Sequence, residues 1–411
     1  MAISLSNKGR VAIKQQAAWG TAQTSFAATD YLEIEAPFVP AFAREAIRMN
    51  TFRPGFTEAE IVAGSKAPTE LTFRFPMHGV WKTDPSANPT AHPDSLIFKT
   101  CLGGSGSQGY TTALASGSTS SIVNITNGSA STNWQGYGLL VPHSSGNMFG
   151  WAKTVDTTVT PDTVTMIGPM QYTPSSSGTI YGSVTAYLTK DAQLPLTFDY
   201  LGSDANTSFR FYDGLPTSVR IVIAAKQVPM VEVTMRFLNW ENLGTGGAPA
   251  DYVYDFPMVP ATLGANGSWF HHDTEDFCAA TANITITQEL SEVECTGSSQ
   301  GVSELVATNR NVTIEIVRTV TSLSALSFPD VTGDSPGSAA TLGGGGLNMT
   351  LSTTPGKAVS IMVPEVVILE QPTTQDLGGK IAVRHLLGCR PYSGDTGSTA
   401  PADTPFRIAF A

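Results

Sequence analysis

Residues 69–76 read TELTFRFP, and their alternation decides the fold class: Leu71, Phe73 and Phe75 fall on one side of an extended chain, Thr72 and Arg74 on the other. A period of two buries one face and wets the other, as in an antiparallel sheet with one solvated side. The same period returns in VEVTMRF at 231–237, where Val231, Val233, Met235 and Phe237 alternate with Glu232, Thr234 and Arg236, and in NVTIEIV at 311–317. Strand-like runs also occur at RVAIK (10–14), YLEIEA (31–36), LPLTFDYLG (194–202), SVRIVIAA (218–225), ANITITQEL (282–290), VSIMVPEVVILE (359–370), GGKIAVRHLLG (378–388) and FRIAF (406–410). One segment reads differently. PDSLIFKTCLGG at 93–104 opens on Pro93 and Asp94, carries apolar Leu96, Ile97 and Leu102, and ends on Gly103, which predicts a short helix.

Composition narrows the function classes. Only 14% of the 411 residues are charged, against roughly a quarter in ordinary soluble domains. Thirty-four acidic and 23 basic residues leave a net charge of −11, which argues against phosphate-neutralising nucleic-acid binding. No apolar run reaches the roughly 18 residues needed to span a bilayer, and MAISLSNKGRVAIK has no signal-peptide core, so the chain is expected to be made and kept in a cytoplasm. Cys101, Cys278, Cys295 and Cys389 form no C-x-x-C pair and are expected to be buried free thiols. The N-x-S/T triplets at 124–126, 206–208, 266–268 and 348–350 are expected by chance in so Thr- and Ser-rich a sequence.

The chain divides into three parts. Residues 1–105 hold an N-terminal arm, a long segment at 40–66 without clear period, and the short helix. From 106 to 182 the composition shifts to Ser, Thr and Gly around SIVNIT, YGLLVPH, MFGWAKTVD and DTVTMIG, which reads as an inserted small β-barrel or sandwich. The first pattern resumes over 183–411, interrupted by the linker-like DSPGSAATLGGGG at 334–346. In the 40–66 loop, Phe42, Arg44, Ile47, Arg48, Phe52, Arg53 and Phe56 interleave arginine with apolar residues, the composition of a protein interface.

Catalytic motifs are missing. There is no Walker loop or H-E-x-x-H segment, and no cofactor is implied. His271 and His272 with Asp273, Glu275 and Asp276 supply metal-ligand types, but adjacent histidines on a strand point to opposite faces, and a solvated acidic loop is the simpler reading. His385 in an apolar run reads as a core or interface histidine. Neither a metal site nor a catalytic residue is assigned, and the chain is read as a non-enzyme.

The order of segments resembles the major tail tube proteins of long-tailed bacteriophages. The resemblance rests on VAIKQQAAWGTA at 11–22, similar to that family's opening strand and "K-x-E-x-x-x-G-T" turn, with Gln15 and Gln16 where a Glu is common. It extends through GSKAPTELTFRFPMHG (64–79), DSLIFKTCLGG (94–104), SVRIVIAAKQVPMVEVTMRFLNW (218–240) and IMVPEVVILE (361–370). The resemblance implies a β-sandwich or barrel tail-tube fold with an inserted barrel that decorates the outside. It also implies a homo-oligomer of stacked rings, each of six subunits or of three in duplicated members. Partners would be the tail terminator, tape-measure and distal tail proteins, in a virion tail assembled in the host cytoplasm. DNA would transit the lumen without specific binding, and no membrane is involved. An acidic lumen would repel phosphates and let DNA slide. The alternative is a carbohydrate-binding or adhesin-like β-protein, in which Trp134, Trp151 and Trp240 would stack on sugars.

Overall fold

The structure is a computed structural model that describes residues 10–32, 34–35, 44–49, 60–66, 68–80, 93–108, 114–191, 193–201, 208–243, 269–272, 275–297, 301–319, 346–394 and 399–411. The first third of the chain holds β1 (Arg10–Gln15), β2 (Tyr31–Leu32), β3 (Arg44–Met49), β4 (Glu60–Lys66), β5 (Thr69–Pro76), helix α1 (Pro93–Leu102) and β6 (Gly103–Ser107). The middle holds β7 (Ile122–Ile125), β8 (Gly138–His143), β9 (Gly146–Asp156), β10 (Asp162–Met166), β11 (Val184–Leu188), β12 (Leu196–Leu201), β13 (Ser208–Ala224) and β14 (Met230–Asn242). The last part holds β15 (Trp269–His272), β16 (Glu275–Asp276), β17 (Ala279–Glu294), β18 (Val302–Thr319), β19 (Leu347–Ser352), β20 (Val359–Val363), β21 (Val366–Asp376), β22 (Ile381–Cys389) and β23 (Arg407–Phe410). The protein is mainly β, with α1 the one α-helix among the described residues, and every pairing is antiparallel.

A ten-stranded sheet is organised around β13. One edge of β13 carries β14 and then β5, while the other carries β12 over 208–214 and β17 over 218–224. From β12 the sheet continues to β1 and β2; from β17 it continues through β18 and β22 to β21. The β2 arm curls back toward β5, where the Glu35 N–H donates to the Arg74 carbonyl at 2.6 Å. The rings inside this curl pack together, with Phe198 5.2 Å from Phe73 and 5.9 Å from Phe237. Burial alternates in β5 as the sequence predicts, with Leu71, Phe73 and Phe75 in the core.

A second sheet runs β16-β15-β19-β20-β23-β11-β6 and faces the first across the main core. Its strands β19, β20 and β23 are buried at every position because both faces are covered. Ile361, Ile408 and Phe410 point into the sandwich, whereas Met362 and Ala409 point the other way, against Leu140, Phe149 and Trp151 of residues 114–181. Helix α1 contributes Ile97, Phe98, Cys101 and Leu102 to the main core. Asp94 at its first turn accepts from the His78 backbone N–H at 2.9 Å.

Residues 114–181 form a four-stranded sheet, β7-β10-β9-β8, around a separate core that includes Trp134, Val141 and Val164. Its two outer strands are linked through the segments flanking them. Ala115 N–H bonds to Asn124 O beside β7, Leu114 N–H to Gly178 O, and Tyr181 exchanges both backbone hydrogen bonds with Leu140 of β8.

Two strands carry glycines beneath aromatic rings. β6, GGSGS, is a strand of the second sheet in which a side chain at Gly104 would collide with the Tyr187 ring. DGLP at 213–216 lies inside the 17-residue β13, where the Phe237 ring covers Gly214 and a bulge accommodates Pro216. Residues 40–66, expected as a loop without period, contain β3 and β4 paired as an antiparallel two-stranded sheet, with Ile47 opposite Val62 and Arg48 opposite Ile61.

Candidate functional site

The interface segment predicted from sequence is only partly described. Arg44, Ile47 and Arg48 lie on β3, whereas Phe42, Phe52, Arg53 and Phe56, like the linker at 334–345, lie outside the described residues.

At the start of the chain the structure builds a buried polar node. Gln16 and Asp213 are each almost fully buried. The Gln16 amide donates from Nε2 to Asp213 Oδ1 at 3.0 Å, and its Oε1 accepts from the Asp213 N–H at 2.7 Å. Asp213, at a φ of +57°, also accepts from Gly20 N–H and Asn239 Nδ2, each at 2.7 Å. The W-G-T turn after β1 is thereby fastened to β13. The Gln at position 16 has a local reason: a carboxylate there could not donate to Asp213 and would oppose its charge. Nearby, Arg210 grips Asp199 through two bonds of 2.8 and 2.7 Å and reaches Glu241 at 3.2 Å. Burial pushes the Asp199 carboxyl up, against the pull of Arg210.

The outer face of the ten-stranded sheet is polar and paired. Arg74, Glu232 and Arg220 stand in register on β5, β14 and β13, with the Glu232 carboxylate 3.6 Å from Arg74 and 3.1 Å from Arg220. Arg384 on β22 holds Glu315 on β18 at 2.7 Å and Glu370 on β21 at 3.4 Å. Such exposed pairs add little stability, but they are consistent with the register of the neighbouring strands.

One ribbon runs on past this sheet, and one hairpin forms its edge. After Thr287 the β17–β18 ribbon leaves the edge of β13, and Gln288 Nε2 bonds to Pro216 O at 3.0 Å where it departs. Beyond that point Leu290, Val302 and Leu305 gather with Leu215, Leu238 and Trp19, and Arg236 pairs with Glu292. Val293 and Val306 remain exposed, and Glu289, Glu292, Glu294 and Glu304 make the ribbon acidic. The β21–β22 ribbon exposes Val367, Leu369, Leu377 and Ile381, and β21 pairs only with β22 among the described strands.

The histidines come apart as the strand argument requires. His271 and His272 occupy β15, a buried strand in place of the expected solvated loop. His271 Nδ1 lies 2.8 Å from Asp276 Oδ1, which also accepts from Trp269 Nε1 at 2.8 Å, and the Trp269 and His271 rings stack at 4.8 Å. His272 points into the sandwich with Phe270. Burial and the neighbouring His271 and Arg318 push its imidazole down to about 4. His385, fully buried on β22, is pushed down to about 4 by burial, Arg318 and His272. Among the described residues, no three His, Cys, Asp or Glu side chains converge on a metal position.

The cysteines divide evenly. Cys101 and Cys389 are packed in the core region with thiols raised by burial to about 12, but Cys278 and Cys295 are exposed, contrary to the expectation of four buried thiols. Trp134 and Trp151, two of the three aromatics expected to face a sugar, are core residues, and Trp151 Nε1 donates to Ser360 Oγ at 3.2 Å.

No protein-family model matches the chain, and no curated protein matches it. No helix among the described residues is long and apolar enough to cross a membrane.

Proposed function

We propose that this chain is a structural subunit of a bacteriophage tail tube, assembling with copies of itself into stacked rings that conduct DNA. The observation that carries this reading is a pair of exposed features, the β17–β18 ribbon that runs on past the edge of β13 and the edge strand β21, both with apolar side chains exposed. An exposed strand edge with apolar side chains is a template for pairing with another chain unless a partner covers it, and head-to-tail contacts between copies generate rings or filaments. The segment order from β1 through α1 to β14 supports the same reading, as does the net charge of −11, which disfavours adhesion of DNA to the tube wall. On this reading residues 114–181 are the inserted small barrel, the β3–β4 segment takes part in contacts between subunits, and the chain has no catalytic role. The tail terminator, tape-measure and distal tail proteins would meet the ends and interior of the tube, in the virion tail.

Sedimentation velocity across a concentration series tests self-assembly. The proposal expects large, concentration-dependent species; a single monomer at every concentration contradicts it. The carbohydrate-binding alternative loses two of its three stacking candidates to the core, and no other feature of the described residues favours it.

A further inference from the structure

The turn after β7 places an asparagine before a glycine with nothing restraining either. Thr126 to Ser129 form the turn, closed by the Ser129 N–H on the Thr126 carbonyl at 3.0 Å. Asn127 and Gly128 are exposed, and among the described residues no hydrogen bond holds the Asn127 side chain or the Gly128 N–H. Gly128 stands at a φ of +73°, and no atom lies within 4 Å of where a side chain would begin, so the space around it is open. The other Asn-Gly pair of the sequence, at 266–267, lies outside the described residues.

This turn leads directly into the donors of a buried carboxylate. Asp162, the first residue of β10 and the register partner of Ile125 at the end of β7, is fully buried. Its Oδ2 accepts from the Ser129 N–H at 3.1 Å and from the Ala130 N–H at 3.0 Å, while Oδ1 has no partner among the described residues. Both donors belong to the two residues immediately after Gly128, so the satisfaction of Asp162 depends on the course of the backbone just beyond Asn127. A buried carboxylate that loses its donors bears the full cost of its desolvation.

We propose that Asn127 is a site of spontaneous deamidation whose product loosens the small sheet. The Gly128 backbone nitrogen, once its proton has gone to hydroxide, attacks Asn127 Cγ. The N–Cγ bond forms, the Cγ–Nδ2 bond breaks, and Nδ2 leaves as ammonia, giving a cyclic succinimide. Water then opens the ring at one carbonyl or the other, giving aspartate or isoaspartate, and no oxidant or reductant takes part. A glycine after the asparagine favours the attack, because it has no Cβ to hinder it and its backbone turns freely. Isoaspartate routes the main chain through the side-chain carbon, which adds a methylene just ahead of Ser129 and Ala130 and pulls their N–H groups out of register with Asp162. This inference stands independently of the tail-tube reading, since it concerns the folded subunit alone.

Peptide mapping of the purified full chain after warm incubation, by tandem mass spectrometry that separates isoaspartate from aspartate, tests the site. Conversion at Asn127 should outpace that at Asn124, Asn133 and Asn147, none of which precedes a glycine, and should run faster at mildly alkaline than at mildly acidic pH. An Asn127 that stays intact in the folded chain while a urea-unfolded sample converts overturns the proposal. The consequence is read by hydrogen exchange on aged wild-type chain and on equally aged N127Q, whose longer side chain keeps the amide but closes the ring far more slowly. Protection lost over β7 and β10 in the aged wild type alone supports the link to Asp162; equal protection in the two proteins, with isoaspartate present in the wild type, overturns it.

Discussion

Gln16 and Asp213 show how single residues fasten a turn to a sheet 197 positions away in sequence. Asp213 accepts three hydrogen bonds while nearly excluded from water, so Asp213→Ala leaves the Gln16, Gly20 and Asn239 donors short of a partner. The expected loss is about 2–4 kcal/mol in urea unfolding. Gln16→Glu should also destabilise, because it places a second carboxylate against the first, and its deficit should shrink at acid pH as one carboxyl takes a proton. A pH-independent deficit would show that the two groups do not oppose each other. None of this was legible in the sequence: Gln15 and Gln16 stand out only as departures from a familiar pattern, and nothing local marks Asp213 as their partner. Gly104 and Gly214 carry no local mark either, since each lies in a strand beneath an aromatic ring that comes from elsewhere in the chain.

At the scale of elements, alternation located strands well wherever one face is wet, as in β5, β14 and the inner half of β18. It did less well where both faces are covered. The strand LNMTLS (β19) alternates Leu347, Met349 and Leu351 with Asn348, Thr350 and Ser352, the pattern of a half-wetted strand, yet all six residues are buried. Its polar face is satisfied locally, with Ser360 Oγ 3.0 Å from Asn348 Oδ1 and 3.2 Å from Thr350 Oγ1. Composition set residues 106–182 apart from the rest of the chain, and residues 114–181 form a sheet with a core of its own, but how that sheet docks was not legible. Phe149 and Trp151 pack on Met362 and Ala409 of the second sheet, and the Arg407 guanidinium reaches Gly136 O at 3.4 Å. Replacing residues 114–181 with a short linker should therefore yield an insoluble or dye-binding protein, read as exposed apolar surface in a hydrophobic-dye assay. A soluble, cooperatively unfolding chain after that excision would show that the interface is dispensable. Leu305→Ala, which removes a buried contact between the β17–β18 ribbon and Leu215 and Leu238, should cost about 2–3 kcal/mol in stability and loosen the ribbon first, seen as lost exchange protection over 289–308.

For the whole molecule, the described residues make two antiparallel sheets around one large core, a third small sheet docked on the second, and a ribbon, β17–β18, that continues past the body. This arrangement supplies rigid surfaces and exposed strand edges but no cluster of catalytic groups among the described residues, which is why self-assembly is the function proposed. Low charge and alternation foretold the β class. The contacts that the proposed assembly requires were less legible, because interface strands carry the same apolar alternation as core strands and differ only in what finally covers them. Exposed Val367, Leu369 and Ile381 on the β21–β22 ribbon mark one place where a second copy would pair. The most direct measurement is negative-stain electron microscopy of the purified, concentrated protein. The account predicts hollow tubes or stacked rings with a central channel; dispersed single particles at every concentration would contradict it.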